Sequence, residues 1–209
     1  MLRFVKRTAP EPVKIAGVPG WLSALLAARG ADTAEKAEHF LHPSPDLLHD
    51  PLLMQGMVTA VSLIRQCIKD RVPTVVYGDY DVDGVCSTAM LVTALKTLGA
   101  EASYYIPSRH QEGYGLNAQA VRKLAGSYGL LVTVDCGITS VKEVGLAKSL
   151  GMHVIVTDHH QLGPELPPAD AVLNPLIGEY PFRSLCGAGV AFKLVQALDG
   201  AIAAEYLDL

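Results

Sequence analysis

The sequence predicts an α/β fold with a parallel, doubly wound sheet and helices on both faces, preceded by a small, mainly helical N-terminal segment. From about residue 56 onward, short β-branched runs alternate with segments of helical periodicity. These runs are apolar throughout, which is typical of strands covered on both faces. Half of the 209 residues are hydrophobic, which is enough to build the buried core of such a fold.

Each element follows from a local pattern. Strands are predicted at residues 73–77, 102–106, 130–134, 153–157 and 171–173. Helices are predicted at residues 57–69, 87–98, 117–124, 140–150 and 190–198. Gly99 and Gly151 follow two of these helices, as is common at helix ends, and Pro107 ends the second strand.

Two domains are predicted, with the boundary near residue 55. Residues 1–55 contain six prolines and are expected to be irregular, with short helices near 21–29 and 33–41. Residues 56–209 carry the alternating strands and helices and are expected to form the catalytic domain.

Composition narrows the class of protein. No apolar run approaches the ~20 residues that span a bilayer, and the basic N-terminus lacks the apolar core of a secretory signal. Four scattered cysteines without a C-x-x-C pair indicate reduced thiols, so a cytoplasmic location is expected. A net charge of -4 argues against a large basic surface for nucleic acid, but it is compatible with a carboxylate site that binds cations.

Three carboxylates follow the first predicted strand within five residues: Asp79, Asp81 and Asp83. They repel one another unless a cation lies between them, and oxygen ligands of this kind suit Mg²⁺ or Mn²⁺. A solvated acidic loop is the alternative interpretation. The spacing also resembles half of an EF-hand loop, but Met90 occupies the position of its bidentate glutamate. A further interpretation is that one of these aspartates is a nucleophile of the phosphatase type. That interpretation would leave the histidines after the fourth predicted strand without a role.

Two further strand ends carry polar groups. Asp135 follows the third strand, and Asp158-His159-His160 follows the fourth. Taken alone, Asp135 could be a helix cap, and the histidines could be ordinary satisfied or exposed imidazoles. Because carboxyl ends of parallel strands share one edge, these groups and the first cluster are expected to converge there. Such a cluster can hold two divalent ions ~3.5–4 Å apart.

At this point the sequence resembles the DHH phosphoesterase superfamily and, within it, the bacterial single-strand-specific 5′→3′ DNA exonucleases. The segments that carry the resemblance are Gly78-Asp79-Tyr80-Asp81-Val82-Asp83-Gly84, Arg109-x-x-Glu112-Gly113-Tyr114-Gly115, Val134-Asp135-Cys136-Gly137, Asp158-His159-His160 and Gly187-Ala188-Gly189. The similarity extends from about residue 40 to the last residue.

The resemblance implies a role for each of these residues. Metal ligands, for two Mn²⁺ or Mg²⁺ ions, would be Asp79, Asp81, Asp83, Asp135 and His159. Catalytic groups would be Asp135, Asp158 and His160. Substrate phosphate would be bound by Arg109, His160, Gly187 and Gly189. The alternative for Arg109 is an ordinary surface arginine. The alternative for Gly187 and Gly189 is close packing of their helix on the sheet.

The implied function is two-metal hydrolysis of single-stranded DNA in repair and recombination, with release of 5′-mononucleotides. A single-strand-binding protein and a repair helicase are the candidate protein partners. Alternatives are a nano-RNase, a cyclic-dinucleotide phosphodiesterase, a pyrophosphatase or a DHH-like binding module without catalysis.

Two departures from the family pattern qualify these expectations. Tyr77 stands where some relatives have a histidine ligand. A further ligand aspartate, the DHHA1 domain and an oligonucleotide-binding fold are expected beyond Leu209. The chain is therefore interpreted as an N-terminal part that is weakly active or inactive alone.

Overall fold

The computed structural model describes residues 14, 15, 17–108 and 115–207. The chain divides into two compact units, Met1–Leu48 and His49–Leu209. The boundary predicted near residue 55 lies a few residues further along the chain, inside the second unit.

The first unit contains two short helices, α1 (Gly20–Ala28) and α2 (Ala34–Leu41), followed by a 3-10 turn at Pro45–Leu47. The side chain of Thr33 accepts a hydrogen bond from Lys36 N (3.2 Å) and so caps α2. Leu26, Ala31 and Ala37 form a small buried cluster. The helical character predicted for the N-terminal segment is confirmed.

The second unit alternates helices with the strands of one parallel sheet. Its helical elements are the 3-10 turn Pro51–Leu53, α3 (Met57–Lys69), α4 (Val82–Thr97), α5 (Ala118–Ala125), α6 (Val141–Ser149), α7 (Gly187–Leu198) and α8 (Gly200–Ala204). Its strands are β1 (Thr74–Tyr77), β2 (Ala102–Tyr105), β3 (Leu130–Val134), β4 (His153–Thr157) and β5 (Ala171–Leu173). In the described part, no single helix is long and apolar enough to cross a membrane. One pair of successive helical segments, Pro45–Leu53 and Met57–Lys69, passes that test of length and composition only when taken together.

Both faces of the sheet are covered, as predicted. Alternate residues of β1 point to opposite cores, because Val76 packs in one buried cluster while Val75 and Tyr77 pack in the other. The first cluster includes side chains from α3, α4 and α7, and the second includes side chains from α5 and α6. Each fully buried aliphatic side chain contributes roughly 1.5–3 kcal/mol to folding. The predicted doubly wound fold class is confirmed.

The strand order creates a crevice for the site. The order is β2-β1-β3-β4-β5, and every pairing is parallel. The chain winds outward from β1 to β2 and then crosses to β3 on the other side of β1. Such a reversal opens a crevice at the carboxyl ends of β1 and β3, where ligands bind in sheets of this kind.

Two helices begin earlier than the apolar periodicity indicates. Helix α4 begins at Val82 because Oδ1 of Asp81 accepts from Gly84 N (2.9 Å) and caps it. Helix α7 begins at Gly187, with Cys186 as its capping residue. Helix α8 was not predicted. Oδ1 of Asp199 caps it by accepting from the N–H groups of Ala201 and Ile202.

Candidate metal centre

Side chains from three strand ends meet in the crevice. Nε2 of His159, which follows β4, lies 3.1 Å from Oδ1 of Asp135, which follows β3. The same nitrogen lies 3.5 Å from Oδ2 of Asp83, in the first turn of α4 after β1. The fold thus brings together residues that are far apart in the sequence, because their strands are neighbours in the sheet.

The potential ligand atoms form two overlapping groups. Asp79, Asp81 and Asp135 form one group, and Asp135, His159 and His160 form the other. Within each group the candidate atoms lie within 4.8 Å of one another. Asp135 belongs to both groups, so the arrangement suits two divalent ions with this carboxylate between them.

Asp135 is the least satisfied carboxylate of the crevice. It is only 1% exposed, and its Oδ1 has no hydrogen-bond donor among the described residues. The nearby His159 nitrogen lies within contact distance but lacks the alignment of a hydrogen bond. A buried carboxylate oxygen without a donor is unfavourable unless a proton or a cation occupies the site. The donor set therefore fits a divalent cation such as Mn²⁺ or Mg²⁺.

The backbone at Asp135 is held in an unusual conformation. Its φ of 59° lies in the left-handed region, which residues other than glycine and asparagine adopt at a cost. Gly137 follows with a φ of 107°, and a Cβ there would lie 2.7 Å from Oγ1 of Thr133. This tight turn after β3 keeps the Asp135 side chain in the crevice.

The environment of Asp135 favours its protonated form when no cation is bound. Burial, followed by the charges of Asp83, Asp81, Asp158 and Asp79, raises the pKa of this carboxyl from 3.8 to about 8. A divalent cation would replace the proton and reverse the sign of this effect.

The raised pKa makes the cation-free chain less stable at alkaline pH. Between pH 3.8 and about 8, the folded chain keeps a proton on Asp135 that the unfolded chain has lost. The stability from this group is fully present below pH 3.8 and is lost as the pH rises through about 8. We expect urea unfolding with a chelator to show this decline, and saturating Mn²⁺ to cancel it. A decline of equal slope with and without Mn²⁺ would contradict the assignment.

Asp158 holds the two histidines in place. Its Oδ1 accepts from the backbone N–H groups of His159 (2.7 Å) and His160 (3.1 Å) and lies 2.7 Å from Nδ1 of His160. Its Oδ2 accepts from Ile138 N (2.9 Å), in the turn after β3. Because both oxygens are engaged, Asp158 orients His160 and joins the ends of β3 and β4.

Other predicted site residues already have protein partners. The oxygens of Asp83 accept hydrogen bonds from Gly187 N (2.7 Å) and Ala188 N (2.6 Å). Gly189 N–H donates to Sγ of Cys186 (3.4 Å). A ligand role for Asp83 and phosphate binding by Gly187 and Gly189 therefore remain predictions. Arg109 lies outside the described residues.

Asn174, which directly follows β5, was not singled out from the sequence. It supports the histidine turn, that is, residues Asp158-His159-His160 after β4. It is fully buried, donates from Nδ2 to the carbonyl of His160 (3.0 Å) and accepts from Leu176 N (2.9 Å). The only signal was an asparagine before proline at a strand end.

Beside His160 lies a cavity of about 170 Å³. It is lined by Gly115, Gly137, Ile138, Thr139, Ser140, Asp158 and His160.

Tyr77 is the last residue of β1 and is fully buried. Its hydroxyl donates to the carbonyl of Gly115 (3.0 Å) and accepts from Nδ2 of Asn117 (3.3 Å). The ring stacks on Tyr105 with centroids 5.3 Å apart. These contacts assign Tyr77 to the support of the crevice wall.

Comparisons with known proteins agree with this architecture. A model described as the DHH family, N-terminal domain, matches residues 73–209. The single-stranded-DNA-specific exonuclease RecJ of Bacillus subtilis (strain 168) is 47% identical over 191 residues, which cover 90% of this chain and 24% of that protein. The protein of the same name from Dickeya dadantii (strain 3937) is 40% identical over 185 residues, covering 87% of this chain and 31% of that protein.

A solved structure also matches. The crystal structure of RecJ in complex with Mn²⁺ from Thermus thermophilus aligns with a TM-score of 0.70 and 32% identity. The alignment covers 88% of this chain and 26% of that structure. The chain therefore spans about a quarter to a third of the length of the relatives it matches.

Proposed function

The chain belongs to the DHH family, and from that membership we propose that it supplies the metal-binding catalytic core of a single-stranded-DNA-specific 5′→3′ exonuclease. The proposed reaction is hydrolysis of phosphodiester bonds with release of 5′-mononucleotides. Residues 56–209 are the proposed catalytic domain.

One observation carries the proposal. The buried Oδ1 of Asp135 has no donor among the described residues and belongs to both groups of candidate ligands. A purely structural aspartate at this burial would be expected to have its hydrogen bonds completed by the protein. A carboxylate left open between two groups of oxygen and nitrogen ligands is suited to bridging two cations.

The residues have distinct proposed roles. Asp79, Asp81, Asp83, Asp135 and His159 would hold two Mn²⁺ or Mg²⁺ ions. Bound in this way, the ions would supply Lewis-acid stabilisation of the charge that develops on the phosphate oxygens. The protein's own contribution is to fix the ligands on a rigid sheet edge before substrate arrives.

His160 is the proposed contact to the scissile phosphate. Asp158 fixes its ring through Nδ1 (2.7 Å), and the two neighbouring imidazole rings lie with centroids 4.4 Å apart. An imidazole held by a carboxylate through one ring nitrogen presents its other nitrogen in a defined direction. Such a group can donate a hydrogen bond to a phosphate oxygen.

Single-stranded DNA is the proposed substrate because the named relatives are specific for it. Arg109 and Gly189 remain proposed contacts to its phosphates, whereas the Gly187 amide already donates to Asp83. The cytoplasmic location, the single-strand-binding protein and the repair helicase also remain predictions.

The test is hydrolysis of a 5′-labelled oligonucleotide by an excess of this chain over substrate. We expect slow release of mononucleotides from single-stranded DNA with Mn²⁺, less cleavage of the duplex, and none with a chelator. The same preparation is offered pyrophosphate, a dinucleotide and a cyclic dinucleotide. A preference for any of these three, or cleavage that does not depend on the metal, would contradict the proposal. His42→Gln, outside the site, is the control variant.

A further inference from the structure

Both oxygens of Asp83 are held by the backbone of α7, a helix about 100 residues further along the chain. Gly187 N–H donates to Oδ2 (2.7 Å), and Ala188 N–H donates to Oδ1 (2.6 Å). Charge-assisted hydrogen bonds to two adjacent donors define the rotation of a carboxylate as well as its position. The orientation of Asp83 is therefore set by the first turn of α7.

The same turn also sets the space around Asp135. A Cβ on Gly187 would lie 2.5 Å from Oδ1 and 2.6 Å from Cγ of Asp135. These separations are too short for real atoms, so any side chain at this position would displace the carboxylate or the helix. Gly187 thus contacts Asp83 through its amide, and its lack of a side chain accommodates Asp135.

The two carboxylates are treated differently by this turn. The start of a helix carries unpaired N–H groups and a partial positive charge, both of which stabilise a carboxylate. Asp83 receives two of these donors, whereas Oδ1 of Asp135 receives none from the described residues. The turn therefore holds one acidic group in place and leaves the neighbouring one open to a cation.

We infer that Gly187 and Ala188 are positioning residues of the metal centre, which hold Asp83 and admit Asp135 so that a divalent cation meets a preformed site. This role replaces phosphate binding as the function of these amides, since they already donate to a carboxylate. The inference rests on the proposed function in that the site binds Mn²⁺ or Mg²⁺.

The first test compares Gly187→Ala with a matched variant, Gly189→Ala, by titrating each chain with Mn²⁺ and measuring unbound Mn²⁺ by electron paramagnetic resonance. Gly189 lies in the same helical turn, but a Cβ there meets the flexible end of Leu185 at 3.0 Å. Its amide donates to Cys186 rather than to a carboxylate. We expect Gly187→Ala to weaken Mn²⁺ binding by roughly 10–100-fold, as loss of a group supporting metal ligands does. Gly189→Ala alters no group that contacts a candidate metal ligand, so it should leave the Mn²⁺ affinity unchanged, whatever it does to phosphate binding.

A second variant removes a donor without adding bulk beside Asp135. Ala188→Pro deletes the N–H that binds Oδ1 of Asp83, in the first turn of a helix where proline is tolerated. We expect weaker Mn²⁺ binding by the folded protein, whatever fall in the thermal midpoint the loss of this hydrogen bond causes without metal. A purely structural role would lower the midpoint but leave the affinity of the folded fraction unchanged, which would overturn the inference. Equal affinities in Gly187→Ala and the unsubstituted chain would also overturn it.

A comparison of the unsubstituted chain with Asp83→Ala decides the case if both variants of α7 fail to fold. Amide hydrogen exchange should be slow at Gly187 and Ala188 and fast at the corresponding groups when Asp83 is replaced by alanine. Equal exchange in the two proteins would overturn the inference. Absence of Mn²⁺ binding by the unsubstituted chain would instead contradict the proposed function, and the exchange rates would still test whether these amides hold Asp83.

Discussion

Replacing Asp135 with asparagine is expected to weaken the binding of both divalent ions strongly while making the cation-free protein more stable at alkaline pH. Asp135 belongs to both ligand groups. Replacing its negatively charged carboxylate with a neutral amide therefore affects both ions. We expect Mn²⁺ affinity, measured by calorimetric titration, to fall on the order of 10²-fold or more. Any Mn²⁺-dependent hydrolysis should fall with it.

The accompanying gain in stability distinguishes a functional carboxylate from a structural one. A pKa of about 8 means that ionising this buried carboxyl above that pH opposes folding. Removing it should stabilise the cation-free chain by on the order of a few kcal/mol at pH 9. Asparagine also suits the left-handed backbone found at this position. Urea unfolding with a chelator measures the change.

Asp81→Asn is the matched control for this prediction. Asp81 belongs to only one ligand group, and asparagine can still cap α4 as Asp81 does through Oδ1. We expect this variant to lose one ion of two and to show little change in stability. Two ions bound by Asp135→Asn with unchanged affinity would refute the bridging role of Asp135.

Replacing Asp158 with alanine is expected to cause the largest loss of stability among the site variants. The change leaves the N–H groups of Ile138, His159 and His160 without their acceptor and releases Nδ1 of His160. The Ile138 donor is buried and costs about 1–3 kcal/mol when left unsatisfied, and the two part-buried histidine donors cost less, so we expect a total loss of roughly 2–4 kcal/mol. Urea unfolding at neutral pH provides the measurement.

The effect on metal binding should be selective. With the histidine turn released, the group containing His159 and His160 should lose its ion, whereas the Asp79 and Asp81 group should keep one. Asp158→Asn retains an oxygen acceptor for the backbone and should cost less stability than alanine. A smaller loss for alanine than for asparagine would show that the described hydrogen bonds do not support the turn.

Strands and the site's location were predictable because they depend on local patterns. The β-branched runs gave the observed limits of β4 and β5, and the periodicity of α3 gave its bounds of Met57–Lys69. Because the carboxyl ends of parallel strands share one edge, Asp135 and His159 were expected to lie close together. Oδ1 of Asp135 lies 3.1 Å from Nε2 of His159.

The contacts that each carboxylate makes in the fold were not predictable. Asp79, Asp81 and Asp83 have similar local sequence contexts, yet Asp81 caps α4 and Asp83 binds α7. The second of these contacts joins residues more than 100 positions apart, so no local pattern reveals it. The early start of α7 has the same origin, because its first turn is stabilised partly by Asp83 from outside the helix.

Anomalous diffraction from crystals of this chain soaked in Mn²⁺ would locate the ions relative to Asp135. The expected result is two peaks, each at a coordination distance of about 2–2.5 Å from an Asp135 oxygen, one towards Asp81 and the other towards His159. Peaks located only away from Asp135 and His159, or no peak in the crevice at saturating Mn²⁺, would contradict the bridging role of Asp135.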